Sequence, residues 1–155
     1  MNARQSMRSE PSEVTKSKPP GAGGWPALAL ILGMQVLLLV WAAVTNRHLL
    51  NTDAVAYLRL AEYYANGSLD LAVSGYWGPL LSWLVAGLMS LGVPALIAAR
   101  VVMAASALGF VGAGHFLLSR LDIPGGLVRG GTALAALATV PWSVEQISPD
   151  LLQGA

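Results

Sequence analysis

The stretch WPALALILGMQVLLLVWAAV, residues 25–44, decides the fold class of this chain. Gln35 is its only polar side-chain break. At about 1.5 Å per residue, a helix of this length covers roughly 30 Å, the thickness of the hydrocarbon core of a bilayer. Trp25 and Trp41 lie near its ends, where interfacial tryptophans are common. The stretch therefore predicts a membrane-spanning helix.

The composition of the whole chain agrees with a membrane protein. Of 155 residues, 55% are hydrophobic and 11% are charged, whereas soluble domains carry about a quarter charged residues. The net charge of +1 argues against a nucleic-acid partner, because such binders carry dense basic patches. Without cysteine, the chain has no disulfide framework, thiolate metal site or cysteine nucleophile. His48 and His115 stand far apart, so we predict no histidine-based metal site.

The residues before this stretch differ sharply from it. Residues 1–24 are rich in Ser, Pro, Gly and charge and cannot bury enough apolar surface to fold, so we predict a disordered tail. No cleavage site of small residues follows the first hydrophobic run, which we interpret as a retained anchor. Basic residues in the tail favour a cytoplasmic N-terminus, and the chain then leaves the membrane on the far side at Thr45.

The later apolar segments predict an all-α, polytopic membrane fold with about three spans. Pro79 and Pro94 enclose about fourteen residues of the segment 78–92, a length nearer that of an interfacial helix than of a span. The segment 101–119 is long enough to span. After a basic turn at 120–130, a further span is predicted to end near Trp142.

Charge sidedness selects between the possible topologies. If segment 78–92 lies at the interface, Arg120 and Arg129 face the cytoplasm, as the positive-inside rule favours. In that arrangement Asp150 emerges on the same side of the membrane as Asp53. We therefore predict three spans, with interfacial helices in the outer loop between the first two.

The segment after the first span begins with Asp53 and predicts a short amphipathic helix. Asp53, Tyr57, Leu60 and Tyr64 fall on one face by their spacing. An alternative role for Asp53 is to cap the helix N-terminus, which Asn, Thr and Asp commonly do. The same alternative holds for Asp150, because Ser-Pro-Asp at 148–150 is a typical helix start.

The order of these features resembles a known family. After the first span come D-x-x-x-Y-x-x-x-A-x-x-x-x-x-G from Asp53, Y-W-G-P-L-L-S-W at 76–83, A-A-R at 98–100 and S-P-D-L-L at 148–152. This order is similar to the N-terminal part of the membrane glycosyltransferases of the C-type fold (GT-C). That superfamily includes the protein O-mannosyltransferases and the lipid A aminoarabinose transferases. Ala54 follows Asp53, which argues against the branches that carry an Asp-Glu pair there.

The resemblance covers residues 25–155 and implies a function. Members transfer a sugar from a polyprenyl phosphate to an acceptor hydroxyl on a glycan, lipid or protein. It implies that Asp53 is a catalytic acidic residue of the first outer loop and that Asp150 belongs to a second acidic motif. It also implies a multi-pass protein of the bacterial plasma membrane. Family members are much longer, so we expect this chain to be a fragment that is inactive alone.

The chemistry of such a transfer fits the position of Asp53. A carboxylate acts as general base toward the acceptor hydroxyl, and the lipid-linked donor presents its sugar phosphate at the depth where a span ends. An alternative role is to hold a divalent cation that neutralises the departing phosphate. No other cofactor is expected.

Four further residues are candidates for substrate binding. Tyr57 shares the face of Asp53, and Trp77 is placed to stack on a sugar or prenyl chain, although interfacial aromatics are common without any ligand. Arg59 and Arg100 offset the charge of a phosphate in this hypothesis. The alternative for both is an ordinary interfacial arginine, and Arg59 has Glu62 within pairing distance on a helix.

Two other functions compete with the enzyme. Both later spans repeat small residues every four positions, which lets helices approach closely in lipid; these are Ala105, Gly109 and Ala113, then Gly131, Ala135 and Thr139. A small non-catalytic membrane subunit could dock a partner on such rows. Half of a transporter is the other rival, but the sequence has no internal repeat and no charged residue deep inside a span.

Overall fold

The computed structural model describes residues 24–150 and residue 152. The predicted disordered tail therefore lies outside the described residues, apart from Gly24. The described chain is all-α, which confirms that part of the predicted fold class. Its helices in chain order are α1 Trp25–Thr45, α2 Thr52–Ala65, α3 Leu69–Ala72, α4 Pro79–Met89, α5 Ala95–Arg120 and α6 Gly125–Glu145.

Two of these helices, α1 and α5, are long and apolar enough to cross a membrane. The first follows the predicted anchor closely, with a proline in its first turn, where the missing N–H costs nothing. At its end, the Thr45 hydroxyl donates to the Trp41 carbonyl at 3.0 Å. The helix α5 has 26 residues and starts earlier than the predicted segment 101–119, because Pro94 ends the preceding turn and leads into the helix.

The two remaining apolar helices, α4 and α6, differ in length. The helix α4 has only 11 residues, which is too short to span a membrane, and its placement at the interface stays a prediction. The helix α6 has 21 residues but is not among the two helices that satisfy both length and apolarity. The arrangement with three spans consequently stays a prediction.

The turn between α5 and α6 is shorter than the predicted basic turn at 120–130. Arg120 is the last residue of α5, and Arg129 already lies inside α6. Pro124 precedes the first turn of α6, and the backbone N–H groups of Leu127 and Val128 bond to its carbonyl. A proline at a helix start fixes φ in advance, which explains why α6 begins before the glycine-rich region ends.

The helices pack as two neighbouring groups that share α5. Helices α1, α5 and α6 contact one another, while α2 and α4 pack together and against α5. The α2–α4 cluster is the larger hydrophobic core; its buried members include Ala54, Tyr57, Ala61, Leu81, Val85, Ala98, Met103 and Ile147. The α1–α6 cluster is smaller and consists of Leu39, Ala42, Val140 and Val144. This division separates a bundle of long helices from a compact loop region at one end.

The predicted small-residue rows do not both lie at helix contacts. Ala105 and Gly109 of α5 are exposed, whereas Thr139 of α6 is buried. The buried face of α5 carries Val102, Met103, Ser106 and Ala107 instead. Spacing alone could not identify this face, since apolar residues surround the whole helix.

Candidate functional site

The first candidate residue, Asp53, lies in the first turn of α2, just after the chain leaves α1. Its side chain is exposed. A carboxylate in this position is stabilised by the positive end of the helix dipole. The N-cap position belongs to Asn51, and no side-chain cap hydrogen bond closes this end of α2. The position of Asp53 is therefore not that of the capping residue.

Asp150 reaches the same region because residues 146–150 fold back onto the start of α2. The Asn51 Oδ1 atom accepts a hydrogen bond from the Ile147 backbone N–H at 3.1 Å. Ile147 is 1% exposed and belongs to the α2–α4 cluster, so the burial of its side chain holds residues 146–150 against that cluster. Asp150 itself is exposed, and the Ser148 hydroxyl donates to its Oδ2 at 2.7 Å. This bond orients the carboxylate.

Tyr57 lies on α2, one turn after Asp53. Burial raises the pKa of Tyr57 above its ordinary value, and the charges of Asp53, Asp150 and then Tyr76 add to the increase. Like charges disfavour ionisation of a nearby phenol. The bond between Ile147 and Asn51 brings the segments of both carboxylates together, although nearly 100 residues of sequence separate them.

An aromatic group borders this acidic pair. The Trp77 ring meets the Tyr57 ring edge to face at a centroid distance of 5.0 Å, and the Tyr76 ring meets Trp77 at 4.7 Å. Tyr76 is 83% exposed, while Trp77 is half-buried. The Ser82 hydroxyl, from α4, donates to the Tyr57 carbonyl at 3.0 Å and ties α4 to α2. Sugar rings stack on aromatic faces of this kind.

Tyr76 is the site residue that sequence reasoning missed. It stands beside Trp77 in the quoted Y-W-G-P segment, and two adjacent aromatics before a Gly-Pro turn were the available signal. The Ser74 hydroxyl accepts hydrogen bonds from the backbone N–H groups of Tyr76 and Trp77, at 3.2 and 3.0 Å. This local turn fixes the backbone of both aromatic residues.

The two candidate arginines have protein partners of their own. Arg59 Nε donates to the Tyr63 hydroxyl at 3.0 Å, and its guanidinium lies over the same ring. The predicted pairing of Arg59 with Glu62 is replaced by this contact. Arg100 donates to the carbonyl oxygens of Ala43 and Asn46, which belong to the last turn and end of α1. It holds the end of α1 against α5, and its contact with a substrate stays a prediction.

A metal site is a candidate role for the two acidic residues. Among residues 24–150 and 152, no group of three or more His, Asp or Glu side chains is assembled to hold a metal ion. Mg²⁺ is commonly held by one or two carboxylates together with substrate phosphates and water. A divalent cation held by Asp53 and Asp150 stays a prediction.

Comparisons with known proteins do not identify the chain. No protein-family model matches it, and neither a characterised protein nor a solved structure matches it significantly.

Proposed function

We propose that this chain forms the N-terminal membrane region of a glycosyltransferase that uses a polyprenyl-phosphate sugar as donor. The observation that carries the proposal is the hydrogen bond from the Ile147 N–H to Asn51, which brings the segment of Asp150 to the start of α2, where Asp53 lies. Two carboxylates with the exposed Tyr76 ring and the half-buried Trp77 ring nearby, at the end of an apolar helix, suit a sugar linked to a lipid phosphate. The donor lipid stays among the helices, and its sugar phosphate lies at the level of the α1–α2 loop.

In the proposed reaction, Asp53 is the general base. The acceptor hydroxyl loses its proton to the Asp53 carboxylate while its oxygen attacks the anomeric carbon of the sugar. The bond between that carbon and the phosphate oxygen breaks, and the polyprenyl phosphate leaves with the bonding electrons. Asp150, held by Ser148, positions the acceptor or a cation at the phosphate. Tyr76 and Trp77 form the platform on which the sugar stacks.

The exposure of the groups supports these roles. Asp53 is exposed in the first turn of α2 and is therefore open to an incoming acceptor. Tyr57 is buried and supports the site by packing against the Trp77 ring. The three-span topology belongs to this proposal, because it brings both acidic residues to the outer surface of the membrane.

The direct experiment compares glycosyl transfer by membranes that carry the full-length gene product. Asp53→Asn keeps the shape of the side chain but removes the base, so transfer is expected to fall by about 10²- to 10⁴-fold. Asp122→Asn is the matched control, because Asp122 lies in the turn between α5 and α6, away from the proposed site. Unchanged transfer in Asp53→Asn, at equal membrane levels, would reject the proposed base.

Chelation separates the two roles of the acidic pair. If Asp53 acts only as a base, transfer continues after treatment with a chelator. If the pair holds a divalent cation against the phosphate, transfer stops and returns when Mg²⁺ or Mn²⁺ is added. Either result is consistent with a glycosyltransferase, and the difference between them shows whether the carboxylates act as a base or as cation ligands.

The rival function is a small non-catalytic membrane subunit. The exposed small residues Ala105 and Gly109 favour it, since a partner helix could approach α5 closely there. Gly109→Leu would block that approach while leaving the acidic site untouched. If this variant loses a co-purifying membrane partner and the wild type shows no glycosyl transfer, the protein is a non-catalytic subunit and not the proposed enzyme.

A further inference from the structure

An apolar groove lies between α1 and α5, on the outside of the bundle. Its volume is about 470 Å³, within the range of roughly 300–1,000 Å³ that is typical of small-molecule sites. Val36, Val40 and Val44 form one wall, and Ile97 and Val101 form the other. These walls are well suited to a hydrocarbon chain and unsuited to a polar ligand.

The two charged residues that line this groove are both arginines. Arg47 follows the end of α1, and Arg100 lies near the start of α5, so both stand at the same end of the groove. No acidic side chain is among the described residues that line it. The groove is thus apolar along its length and positive at one end.

The two arginines differ in what they offer. Arg100 already donates to the carbonyl oxygens of Ala43 and Asn46, so it is fixed in place and contributes a charge. Arg47 is exposed, and its Nε donates to the His48 Nε2 at 3.0 Å. Arg47 is therefore the side chain that a headgroup at the end of the groove would contact.

We infer that this groove binds one anionic phospholipid of the bilayer. An acyl chain lies along the valine and isoleucine walls, and the phosphate lies beside Arg47 within the positive field of Arg100. The groove matches the acyl chain and the headgroup in the orientation that they have in a bilayer. The acyl chain lies among apolar side chains, and the charged headgroup lies at the ends of the helices. A purely apolar partner helix would leave this positive end without a counter-charge.

This inference does not rest on the proposed glycosyl transfer, and it assigns Arg100, a candidate for the donor phosphate, to a resident lipid instead. It concerns a resident lipid that joins α1 to α5, and it requires neither Asp53 nor Asp150. Its consequence is structural, because the lipid would hold together the two helices whose ends position the α1–α2 loop. The loop and the aromatic group would then depend on the lipid composition of the membrane.

The experiment uses the full chain in nanodiscs with equal amounts of phosphatidylglycerol and phosphatidylcholine, followed by native mass spectrometry. The wild type is expected to retain phosphatidylglycerol in preference to phosphatidylcholine. Arg47→Gln should reduce that preference about fivefold, the effect of removing one basic residue near an anionic headgroup. Arg129→Gln, at the start of α6, is the control and should keep the preference.

A second variant tests the apolar part of the groove. Val101 is 49% exposed, so Val101→Trp fills the groove without disturbing the core and should abolish lipid retention. Leu137→Trp, on the exposed side of α6 at 58% exposure, is the matched control and should retain lipid as the wild type does.

Three results would overturn the inference. One is equal retention of the two phospholipids by the wild type. Another is equal loss of lipid in Val101→Trp and Leu137→Trp. The third is displacement of phosphatidylglycerol from the wild type by a long-chain prenyl phosphate, which would make the groove a donor site instead.

Discussion

The helices α1 and α2 are neighbours in sequence and present opposite surfaces. The outer surface of α1 is apolar, with Leu30, Leu37 and Trp41 between 65% and 69% exposed. The outer surface of α2 carries Asp53, Arg59 and Glu62, with Val55 as an apolar exception. An apolar exterior is stable in hydrocarbon and a charged exterior in water.

In the proposed topology, this difference corresponds to a boundary between hydrocarbon and water at the loop 46–51. Asn51, in that loop, also receives the hydrogen bond that brings residues 146–150 to the site. The same topology puts the proposed acidic pair where hydrocarbon gives way to water. A lipid-linked substrate presents its polar head at the same level.

The strongest test of this comparison is the sidedness of the acidic residues, because labelling is nearly all or none. The chain has no cysteine, so Asp53→Cys, Asp122→Cys and Asp150→Cys each carry a single thiol. We expect an impermeant reagent to label positions 53 and 150 from one side and position 122 only from the other. Labelling of positions 53 and 150 from opposite sides would eliminate the two-acid site.

The next largest effect concerns the core beneath the α2 surface. Leu81 is completely buried in the α2–α4 cluster, so Leu81→Ala leaves a cavity and should cost about 2–5 kcal/mol of unfolding free energy. Leu80→Ala, at a position that is 49% exposed, is the control and should cost much less. Unfolding followed by circular dichroism in detergent measures both, and equal losses would show that α4 is not anchored as described.

A smaller effect is expected inside the bundle that α1 forms with α6. Gln35 Nε2 donates to the Thr139 hydroxyl at 2.9 Å, and both side chains are buried. Thr139→Val leaves that donor without its acceptor and should destabilise the protein by about 0.6–1.7 kcal/mol. Adding Gln35→Leu removes the unsatisfied amide as well and should restore much of the loss.

This pair of variants also has a clear contrary outcome. If Thr139→Val alone leaves the unfolding free energy unchanged, the hydrogen bond does not join α1 to α6. If the double variant is less stable than Thr139→Val, the amide has a further partner that the bond does not explain.

The smallest expected effect is a shift in the titration of Tyr57. When Tyr63, Tyr64 and Tyr76 are all replaced by phenylalanine, Tyr57 is the only tyrosine left in the chain. Because burial and then the charges of Asp53 and Asp150 raise its pKa, Asp53→Asn and Asp150→Asn should each lower it. Tyrosinate absorbance against pH measures the shift, and an unchanged titration in Asp150→Asn would separate that residue from the site.

The raised pKa also gives a pH dependence of stability. A group whose pKa is raised on folding binds its proton more tightly in the folded state. The stability from Tyr57 is consequently complete below the ordinary pKa of tyrosine and is lost as the pH rises through the higher folded value. Tyr57→Phe should remove this alkaline loss and provides the control.

Much of the fold could be predicted because its causes are local. The apolar run at 25–44 and the prolines at 79 and 94 predict helices and their limits, since length, hydropathy and the missing proline N–H act within a few residues. The extent of the turn after Arg120 was overestimated, because the glycines at 125 and 126 look like turn residues until Pro124 is seen to begin a helix.

The candidate site was predicted only in part. Asp53 and Trp77 could be selected from their neighbours in sequence, and the pairing of Asp53 with Asp150 came from a topological argument. Tyr76 was not selected, because an exposed aromatic has no distinguishing pattern until its neighbour is known. The partners of Arg59 and Arg100 were equally hidden, since a guanidinium reaches many acceptors and the nearest one depends on packing.

The sequence by itself determined that the chain is helical and that at least one segment is suited to hydrocarbon, because hydropathy and helix length are properties of contiguous residues. The tertiary structure alone decided which side chains meet. The bond from Ile147 to Asn51 and the anchoring of Arg100 on the end of α1 join residues 54 to 96 positions apart. Such contacts arise from the packing of whole helices, and no local pattern specifies them.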